Sequence, residues 1–201
     1  MNRLVIIGAG GHGKVIADIA CLNGYREIIF LDDDSNKTNC GAYAVEGGVD
    51  TLGSYGECDC FVAVGNPYIR ERITKTIDAG RLITLIHPDA IVAQNVKPGK
   101  GTVIMAGAVI NPDTVIGEGC IINTCSSVDH DNRIGNYVHV AVGAHLCGAV
   151  SVEDRTWVGA GAIVSNNITV CSDCMIGAGT VVIKDIDEPG TYIGVPAQKI
   201  K

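Results

Sequence analysis

The chain has few aromatic residues, no excess of positive charge and no long apolar run. Aromatic residues make up 4% of the 201 residues, although 47% are hydrophobic, so a core must be built mainly from aliphatic side chains. The 15 Lys and Arg against 22 Asp and Glu give a net charge of −7, which leaves no obvious basic face for nucleic acid. Gly, Asp or Asn interrupts every apolar stretch before the roughly twenty residues that a membrane span needs. We therefore expect neither a nucleic-acid partner nor a membrane partner.

The nine cysteines indicate a reducing compartment. Their number is odd, and the charged Arg3 is followed directly by an apolar strand pattern rather than by a secretory signal. We expect free thiols and a cytoplasmic protein. Cys171 and Cys174 form a C-x-x-C pair, but a zinc site of this kind needs a second pair. A structural role is therefore favoured for both residues.

An aliphatic residue recurs every six positions from Ile86 to Val182. All but one of these seventeen positions are Ile, Val or Leu, the exception being Pro98, and the register has no insertion. Four residues after each comes a mostly small or β-branched residue, from which Asn132 and Ile168 depart. A period of six fits neither a helix nor a long two-residue alternation.

A fixed six-residue period is typical of a parallel β-helix. Each hexad would form one side of a triangular coil, so that eighteen residues return the chain to the same side one strand spacing higher. The aliphatic residues would then fill the interior, and the small residues would pack near the corners. A β-sandwich is the alternative, but its loops vary in length and would break the register.

The first eighty residues predict a small α/β domain. Leu4–Ile7 reads as a buried strand, Gly8-Ala-Gly-Gly-His-Gly13 as a turn and 14–22 as a helix, and a second strand at 27–31 ends in Asp32-Asp-Asp34. Glycines in such a turn let backbone N–H groups approach a phosphate at the helix N-terminus. An acidic side chain after the second strand can accept hydrogen bonds from ribose.

The rest of this region predicts one more strand and one more helix. Ser35 to Gly56 has no clear pattern, 60–64 predicts a strand, and 68–79 a helix started by Pro67. The resulting β-α-β-(β)-α unit has length for one mononucleotide half, whereas a dinucleotide needs two. We therefore disfavour an NAD-dependent oxidoreductase and favour a nucleoside diphosphate with a group attached. Alternatively, the glycine turn serves only close helix packing.

Val128-Asp-His-Asp131 is the most polar group in the middle of the repeats. His130 falls near a corner, where side chains face outward, and Asp131 can hold one ring nitrogen and raise the basicity of the other. Eighteen residues later comes Gly148, whose N–H would lie beside this base as a possible oxyanion donor. Residues eighteen apart form a column along the prism, and Asn166 continues the column of His130 and Gly148. Val142, Ala160 and Ala178 form a second column. The two columns predict a groove for a linear ligand.

The other histidines do not predict a metal site. One class of carbonic anhydrase uses the same prism with zinc, but its pattern places a histidine two coils before a closely spaced pair. Here the residue two coils before His130 is Gln94, and His139 and His145 are six apart, on different sides of the coil. We expect no metal.

Several motifs together resemble the bacterial left-handed β-helix sugar acetyltransferases. They are the Gly8–Gly13 turn, Phe30-Leu-Asp-Asp33, Ala63-Val-Gly-Asn66, Asn123-Thr124, Asp129-His-Asp131 and Gly194-Val-Pro-Ala197. The family includes the sialic-acid O-acetyltransferases and UDP-4-amino-sugar N-acetyltransferases such as that of the bacillosamine pathway. The resemblance covers essentially the whole chain and departs most at 35–56.

The resemblance implies a Rossmann-like nucleotide-sugar-binding domain at 1–80. It implies a left-handed parallel β-helix of hexapeptide repeats with a C-terminal tail at 81–201, a homotrimer and acetyl-CoA as donor. His130 matches the general base and Asp131 its acidic partner. The residues that match the nucleotide-sugar site are Gly10, Gly11, His12, Asp32, Asp33 and Gly65, and those that match the acetyl-CoA site are His139, Ala160 and Ala178.

The resulting hypothesis is an acetyl-CoA-dependent N-acetyltransferase acting on the amino group of a UDP-linked 4-amino-deoxysugar. His130 would take the proton as the amine attacks, and the Gly148 amide would stabilise the oxyanion. Because no loop interrupts the repeats, the acceptor would be recognised by the N-terminal domain of this chain or of a neighbour. Two alternatives stay open, O-acetylation of sialic acid and a non-catalytic nucleotide-sugar-binding scaffold.

Overall fold

A computed structural model describes residues 3–201, which divide into two compact units. The first unit ends at Pro88 and the second is Asp89–Lys201. Among the described residues, no helix combines the length and the hydropathy that crossing a membrane would require.

The first unit is a three-stranded parallel sheet with flanking helices. Its elements are β1 (Arg3–Ile7), α1 (Gly11–Leu22), β2 (Glu27–Leu31), β3 (Asn39–Cys40), β4 (Tyr43–Ala44), a 3-10 helix (Val49–Tyr55), β5 (Asp59–Val62), α2 (Pro67–Thr74) and β6 (Leu85–Ile86). The sheet order is β2-β1-β5. Strand β1 is central and apolar, and its residues Leu4 to Ile7 are almost fully buried because both faces of the sheet are covered.

The predicted β-α-β unit is confirmed, with two corrections at its end. The third strand stops at Val62 rather than at residue 64, because the chain turns there and the carbonyls of Val64 and Gly65 accept hydrogen bonds from Arg70 at 2.8 Å. Helix α2 stops at Thr74 rather than at 79. Turn hydrogen bonds follow, including Thr76 N–H to the Ile73 carbonyl at 2.9 Å.

The unpatterned segment 35–56 contains short local structure. Strands β3 and β4 form an antiparallel hairpin, and the 3-10 helix follows it. A single hairpin of two-residue strands does not repeat along the chain, so no sequence period indicated it.

The second unit is a parallel β-helix whose strands, mostly of two residues, fall on the predicted hexads up to residue 182, with two further strands after it. These strands are β7 (Ile91–Val92), β8 (Val103–Ile104), β9 (Val109–Ile110), β10 (Val115–Ile116), β11 (Ile121–Ile122), β12 (Ser127–Val128), β13 (Arg133–Ile134), β14 (His139–Val140), β15 (His145–Leu146), β16 (Ser151–Val152), β17 (Trp157–Val158), β18 (Ile163–Val164), β19 (Thr169–Val170), β20 (Cys174–Ile176), β21 (Val181–Val182), β22 (Gly190–Ile193) and β23 (Gln198–Lys199). Pro98 is the hexad position without a strand, as expected of a residue that lacks an N–H donor.

The strands form three faces of the prism. Face 1 is β10-β13-β16-β19, face 2 contains β8, β11, β14, β17, β20, β22 and β23, and face 3 contains β7, β9, β12, β15, β18 and β21. Paired strands are eighteen residues apart, as in Ser127 with His145. This register holds until β20 pairs with β22, where Cys174 lies opposite Gly190. The eighteen-residue coil predicted from the sequence is therefore confirmed.

The interior is the stack of aliphatic residues that the period predicts. From Ile104 to Val182 every hexad residue is at most 3% exposed, whereas Val92 in the first coil is only half-buried. Each corner also holds a residue in the left-handed backbone region, usually at six-residue spacing, such as Gly143, Asp131 (φ 60°) and Ala149 (φ 58°). Because such a residue turns the chain sharply, the side chain just before it faces outward.

Candidate active site

The six residues predicted to hold a nucleotide sugar line one cleft of about 440 Å³ in the first unit. They are Gly10, Gly11, His12, Asp32, Asp33 and Gly65. The cleft lies at the carboxyl ends of β1, β2 and β5, where loops follow parallel strands and ligands commonly bind.

The glycines of the turn divide into two kinds. A β-carbon on Gly8, whose φ is +108°, would lie 2.7 Å from the Ala63 carbonyl oxygen, and one on Gly13 would collide with the Gly8 carbonyl. Gly10 and Gly11 have open space in the same direction. Close packing therefore explains Gly8 and Gly13, but it does not explain Gly10 and Gly11, which border the cleft at the start of α1.

Asp32 and Asp33 hold the loops of the cleft in place. One oxygen of Asp32 accepts hydrogen bonds from the Ala9 N–H at 2.7 Å and from Lys37 Nζ at 2.8 Å. Burial by itself raises the pKa of Asp32, but these bonds and the one from the Asp34 N–H outweigh it, so that the pKa is lowered. Asp33 accepts from the Val49 N–H at 2.8 Å. Ribose binding by these carboxylates stays a prediction.

His12 is partly buried beside Arg70, a buried cation that the sequence did not reveal. Burial, with the positive charge of Arg70 in addition, lowers the pKa of His12 to about 4, so its ring is neutral at pH 7. Within residues 3–201 its Nε2 is buried and has no hydrogen-bond partner. Arg70 is 1% exposed and places a cation near this histidine. Nothing in the pattern of the short helix α2 marks Arg70 as buried.

His130 and Asp131 form the predicted dyad at the corner between faces 3 and 1. His130 Nδ1 lies 2.7 Å from Asp131 Oδ2, and both side chains are more than half exposed. An ionised carboxylate only accepts hydrogen bonds, so Nδ1 carries the proton and Nε2 holds the free lone pair. The hydrogen bond to Asp131, followed by the charge of Asp129, raises the pKa of His130.

Gly148 lies one coil above His130, as the eighteen-residue spacing predicts. The Ala149 N–H donates to the His130 carbonyl at 2.9 Å, and the Asn167 N–H to the Gly148 carbonyl at 3.0 Å. Gly148 itself is buried, and the nearest atoms to a β-carbon built on it belong to the His130 ring. The His130 ring and the backbone of Gly148 are therefore neighbours.

The residues predicted to bind acetyl-CoA lie elsewhere on the prism. His139 is on face 2, where its ring packs on Trp157 with centroids 4.2 Å apart, and Asn123 Nδ2 lies 3.1 Å from its Nε2. Ala160 and Ala178 are exposed at the corner between faces 2 and 3, one coil apart. Face 3 separates this corner from His130, so a single chain does not bring the predicted base and donor site together.

The described residues include no group of three or more His, Cys, Asp or Glu that could hold a metal ion. Cys171 and Cys174 are free thiols with their sulfurs 3.5 Å apart. Burial raises the pKa of Cys174 to about 12, which leaves it protonated at pH 7.

Comparison with known proteins relates both units to enzymes of sugar modification. Residues 3–77 match the PglD N-terminal domain family, and residues 99–130 match the bacterial transferase hexapeptide (six repeats) family. The GDP-perosamine N-acetyltransferase of Escherichia coli O157:H7 is 30% identical over 190 residues, which are 84% of this chain and 80% of that protein. The chain belongs to the hexapeptide-repeat sugar N-acetyltransferases.

Other members of this family resemble the chain over shorter or longer spans. The UDP-N-acetylbacillosamine N-acetyltransferase of Bacillus subtilis is 39% identical over 113 residues, 53% of this chain and 52% of that protein. The acetyltransferase domain of PglB from Neisseria gonorrhoeae, in complex with acetyl coenzyme A, is 40% identical, with a TM-score of 0.94 and 99% of both chains covered. PerB from Caulobacter crescentus, in complex with CoA and GDP-perosamine, is 35% identical, with a TM-score of 0.91. The match covers 99% of this chain and 97% of PerB. The family resemblance and fold class predicted from the sequence are confirmed.

Proposed function

We propose that this protein transfers the acetyl group of acetyl-CoA to the amino group of a UDP-linked 4-amino-deoxysugar. The observation that carries the proposal is the His130–Asp131 pair beneath Gly148. It supplies a ring nitrogen with a free lone pair beside a backbone amide, as acyl transfer to an amine requires. Family membership supports the class of reaction.

His130 acts as general base in this proposal. Its Nε2 accepts the proton of the sugar amine as the amine attacks the thioester carbonyl, and Asp131 stabilises the imidazolium that forms. The Gly148 N–H donates to the oxyanion, and the proton then passes to the leaving thiolate. The reaction needs no covalent enzyme intermediate.

The nucleotide is assigned to the cleft of the first unit. Gly10 and Gly11 leave their backbone accessible where α1 begins, and the N-terminus of a helix favours a phosphate. The buried cation of Arg70 adds positive potential at the same place. We assign nucleotide-sugar contacts to Gly10, Gly11, His12, Asp32, Asp33 and Gly65.

We favour a uridine nucleotide because of the bacillosamine relative. It is 39% identical over 113 residues, whereas the relatives that act on or bind GDP-perosamine are 30–35% identical over 84% and 99% of this chain. A guanosine nucleotide is the alternative that the test must distinguish.

The nine free cysteines suit a reducing compartment, and we therefore place the reaction in the cytoplasm.

The donor site is proposed to be shared between subunits of a homotrimer. His139, Ala160 and Ala178 lie across face 3 from His130, so a neighbouring copy is needed to bring an acetyl-CoA bound there to the base. Ala160 and Ala178 leave an exposed strip with small side chains along which the extended CoA chain fits. Mixing inactive His130→Ala and His139→Ala proteins under subunit exchange would then restore part of the activity, and no recovery would contradict the shared site.

The function is tested by following thiol release from acetyl-CoA with a panel of sugars. The panel contains UDP- and GDP-linked 4-amino-sugars, with sialic acid as the O-acetylation acceptor, and each product is identified by mass spectrometry. We expect N-acetylation of a UDP-linked amino sugar. Turnover of the GDP-linked sugars alone would overturn the choice of nucleotide, and turnover of sialic acid alone would overturn N-acetylation.

A further inference from the structure

Asn132 is the residue that departs from the small-residue pattern at the corner of His130. It is fully buried, and its Nδ2 lies within hydrogen-bond distance of three backbone carbonyls: Asp129 at 2.7 Å, His130 at 3.2 Å and Cys147 at 2.9 Å. Cys147 immediately precedes Gly148. One side-chain amide therefore ties the backbone of the base to the coil that carries the predicted oxyanion donor.

Other corners of the same prism need only one such bond. The hydroxyls of Thr102, Thr114 and Thr156 each donate to a carbonyl fifteen residues later, at 2.8–2.9 Å. The bond from Asn132 to the Cys147 carbonyl is the equivalent of these. The NH₂ group has two protons, so it donates to the Cys147 and Asp129 carbonyls and shares one proton with the more distant His130 carbonyl. A hydroxyl, which has a single proton, could not do this.

The asparagine carries a cost that a hydroxyl would avoid. Three acceptors surround one end of its amide, so the NH₂ group must lie there, and its Oδ1 is buried without a partner within residues 3–201. An unsatisfied buried acceptor costs about 1–3 kcal/mol. A threonine at this position could join the two coils without that cost, so a bond between coils does not explain the asparagine. Its additional contacts with the His130 backbone do.

The rest of the His130 backbone is also held by neighbours. Its N–H donates to Asp129 Oδ1 at 2.9 Å, and that oxygen also accepts from Asn111 Nδ2 at 2.7 Å. Its carbonyl accepts from the Ala149 N–H. Because the His130 side chain is 58% exposed, packing does little to fix its ring. The direction of the ring therefore depends on the His130 backbone and on the bond from Nδ1 to Asp131.

We propose that Asn132 is a positioning residue for acetyl transfer, which holds the His130 backbone in register with Gly148. Because its side chain is fully buried, it acts through the His130 backbone. The proposal rests on the proposed function, in which His130 is the base.

The test uses Asn132→Thr, with Thr156→Val as the control. The threonine variant keeps the bond between coils, as at Thr114 and Thr156, and avoids the unsatisfied oxygen, so it folds and is at least as stable as wild type. We expect its kcat to fall about tenfold because the base is less well placed, with KM for acetyl-CoA within about twofold. Thr156→Val removes an equivalent corner bond away from His130. It should lower the thermal midpoint and leave kcat within about twofold.

A second measurement does not depend on turnover. The His130 ring is titrated by NMR in the wild type and in Asn132→Thr. Loosening the segment weakens the contacts of the ring with Asp131 and Asp129, so its titration moves to lower pH. An unchanged kcat with an unchanged titration would overturn the proposal. If wild type transfers acetyl to no sugar, the proposed function fails, and the titration alone decides on Asn132: a shift supports the positioning role, and no shift overturns it.

Discussion

A β-carbon on Gly148 would lie 2.7 Å from Cε1 and 2.8 Å from Nε2 of His130. Contacts this short cannot be kept, but the His130 side chain is exposed and can move away at little energetic cost. We therefore predict that Gly148→Ala keeps the thermal midpoint and lowers kcat by about 100-fold, since a displacement of about 1 Å has that effect on an aligned catalytic group. Gly53→Ala is the control, because Gly53 has open space in the same direction. A fully active Gly148→Ala protein would argue against a catalytic role for the contact between Gly148 and the His130 ring.

Asp131→Asn is expected to change the pH dependence as well as the rate. In wild type we expect the activity to rise with pH as His130 loses its proton, and the raised pKa of His130 places this rise above the ordinary histidine value. Removing its largest cause, the bond to Asp131, should move the rise to lower pH and reduce the plateau about 10- to 100-fold.

Asp113→Asn is the matched control for this prediction. Asp113 occupies the equivalent left-handed corner position one coil earlier, with φ 63° against 60° for Asp131, and it accepts a hydrogen bond from Asn95. We expect an unchanged pH profile of kcat/KM. A profile that moves equally in both variants would show a general charge effect rather than a specific dyad.

His12 should make the protein sensitive to acid. Its pKa is about 4 in the folded protein, against an ordinary histidine value of 6.5, so the unfolded chain binds a proton first as the pH falls. The contribution of the neutral His12 ring to the free energy of unfolding is fully present above pH 6.5 and is lost progressively down to pH 4, a loss of about 3 kcal/mol. Urea unfolding of His12→Gln at several pH values should show a smaller loss over this window. The same loss of stability in both proteins would contradict a neutral, partly buried His12 ring.

Arg70 should matter both for stability and for nucleotide binding. Arg70→Met leaves the carbonyls of Val64 and Gly65 without their donor and removes a buried cation near the cleft. We expect a loss of about 2–4 kcal/mol in the free energy of unfolding and about tenfold weaker binding of UDP by titration calorimetry. Arg72→Met, at an exposed position two residues later on the same helix, is the control. If Arg70→Met binds UDP as tightly as wild type does, Arg70 does not contribute to nucleotide binding.

The repetitive half of the fold could be predicted from sequence because one rule applies at every position. Each hexad residue faces the same interior, so the spacing alone places Gly148 above His130 and separates His139 from His145. The ends of the other unit were less predictable. Strand β5 stops early because Arg70 binds the carbonyls of Val64 and Gly65, which is a contact without a local sequence pattern. Helix α2 stops early because turn hydrogen bonds replace the helical ones after Thr74.

The candidate site was predictable in its outward-facing residues and less so in its supports. Glycines and acidic residues at strand ends mark the cleft, because turn geometry restricts what can stand there. The buried Arg70 and the amide of Asn132 act through contacts with backbone carbonyls, which depend on the folded path of the chain. Asn132 did leave one sign in the sequence, its departure from the small residues at the other corners.

The most direct test of the account is acetyl transfer by His130→Ala. The variant removes an exposed side chain and should remain folded, with UDP binding in the first unit unchanged. With a UDP-linked 4-amino-sugar that wild type turns over, we predict that kcat/KM falls by about 10²–10⁴. Thiol release at the wild-type rate, with the same acetylated product, would contradict the assignment of His130 as the base.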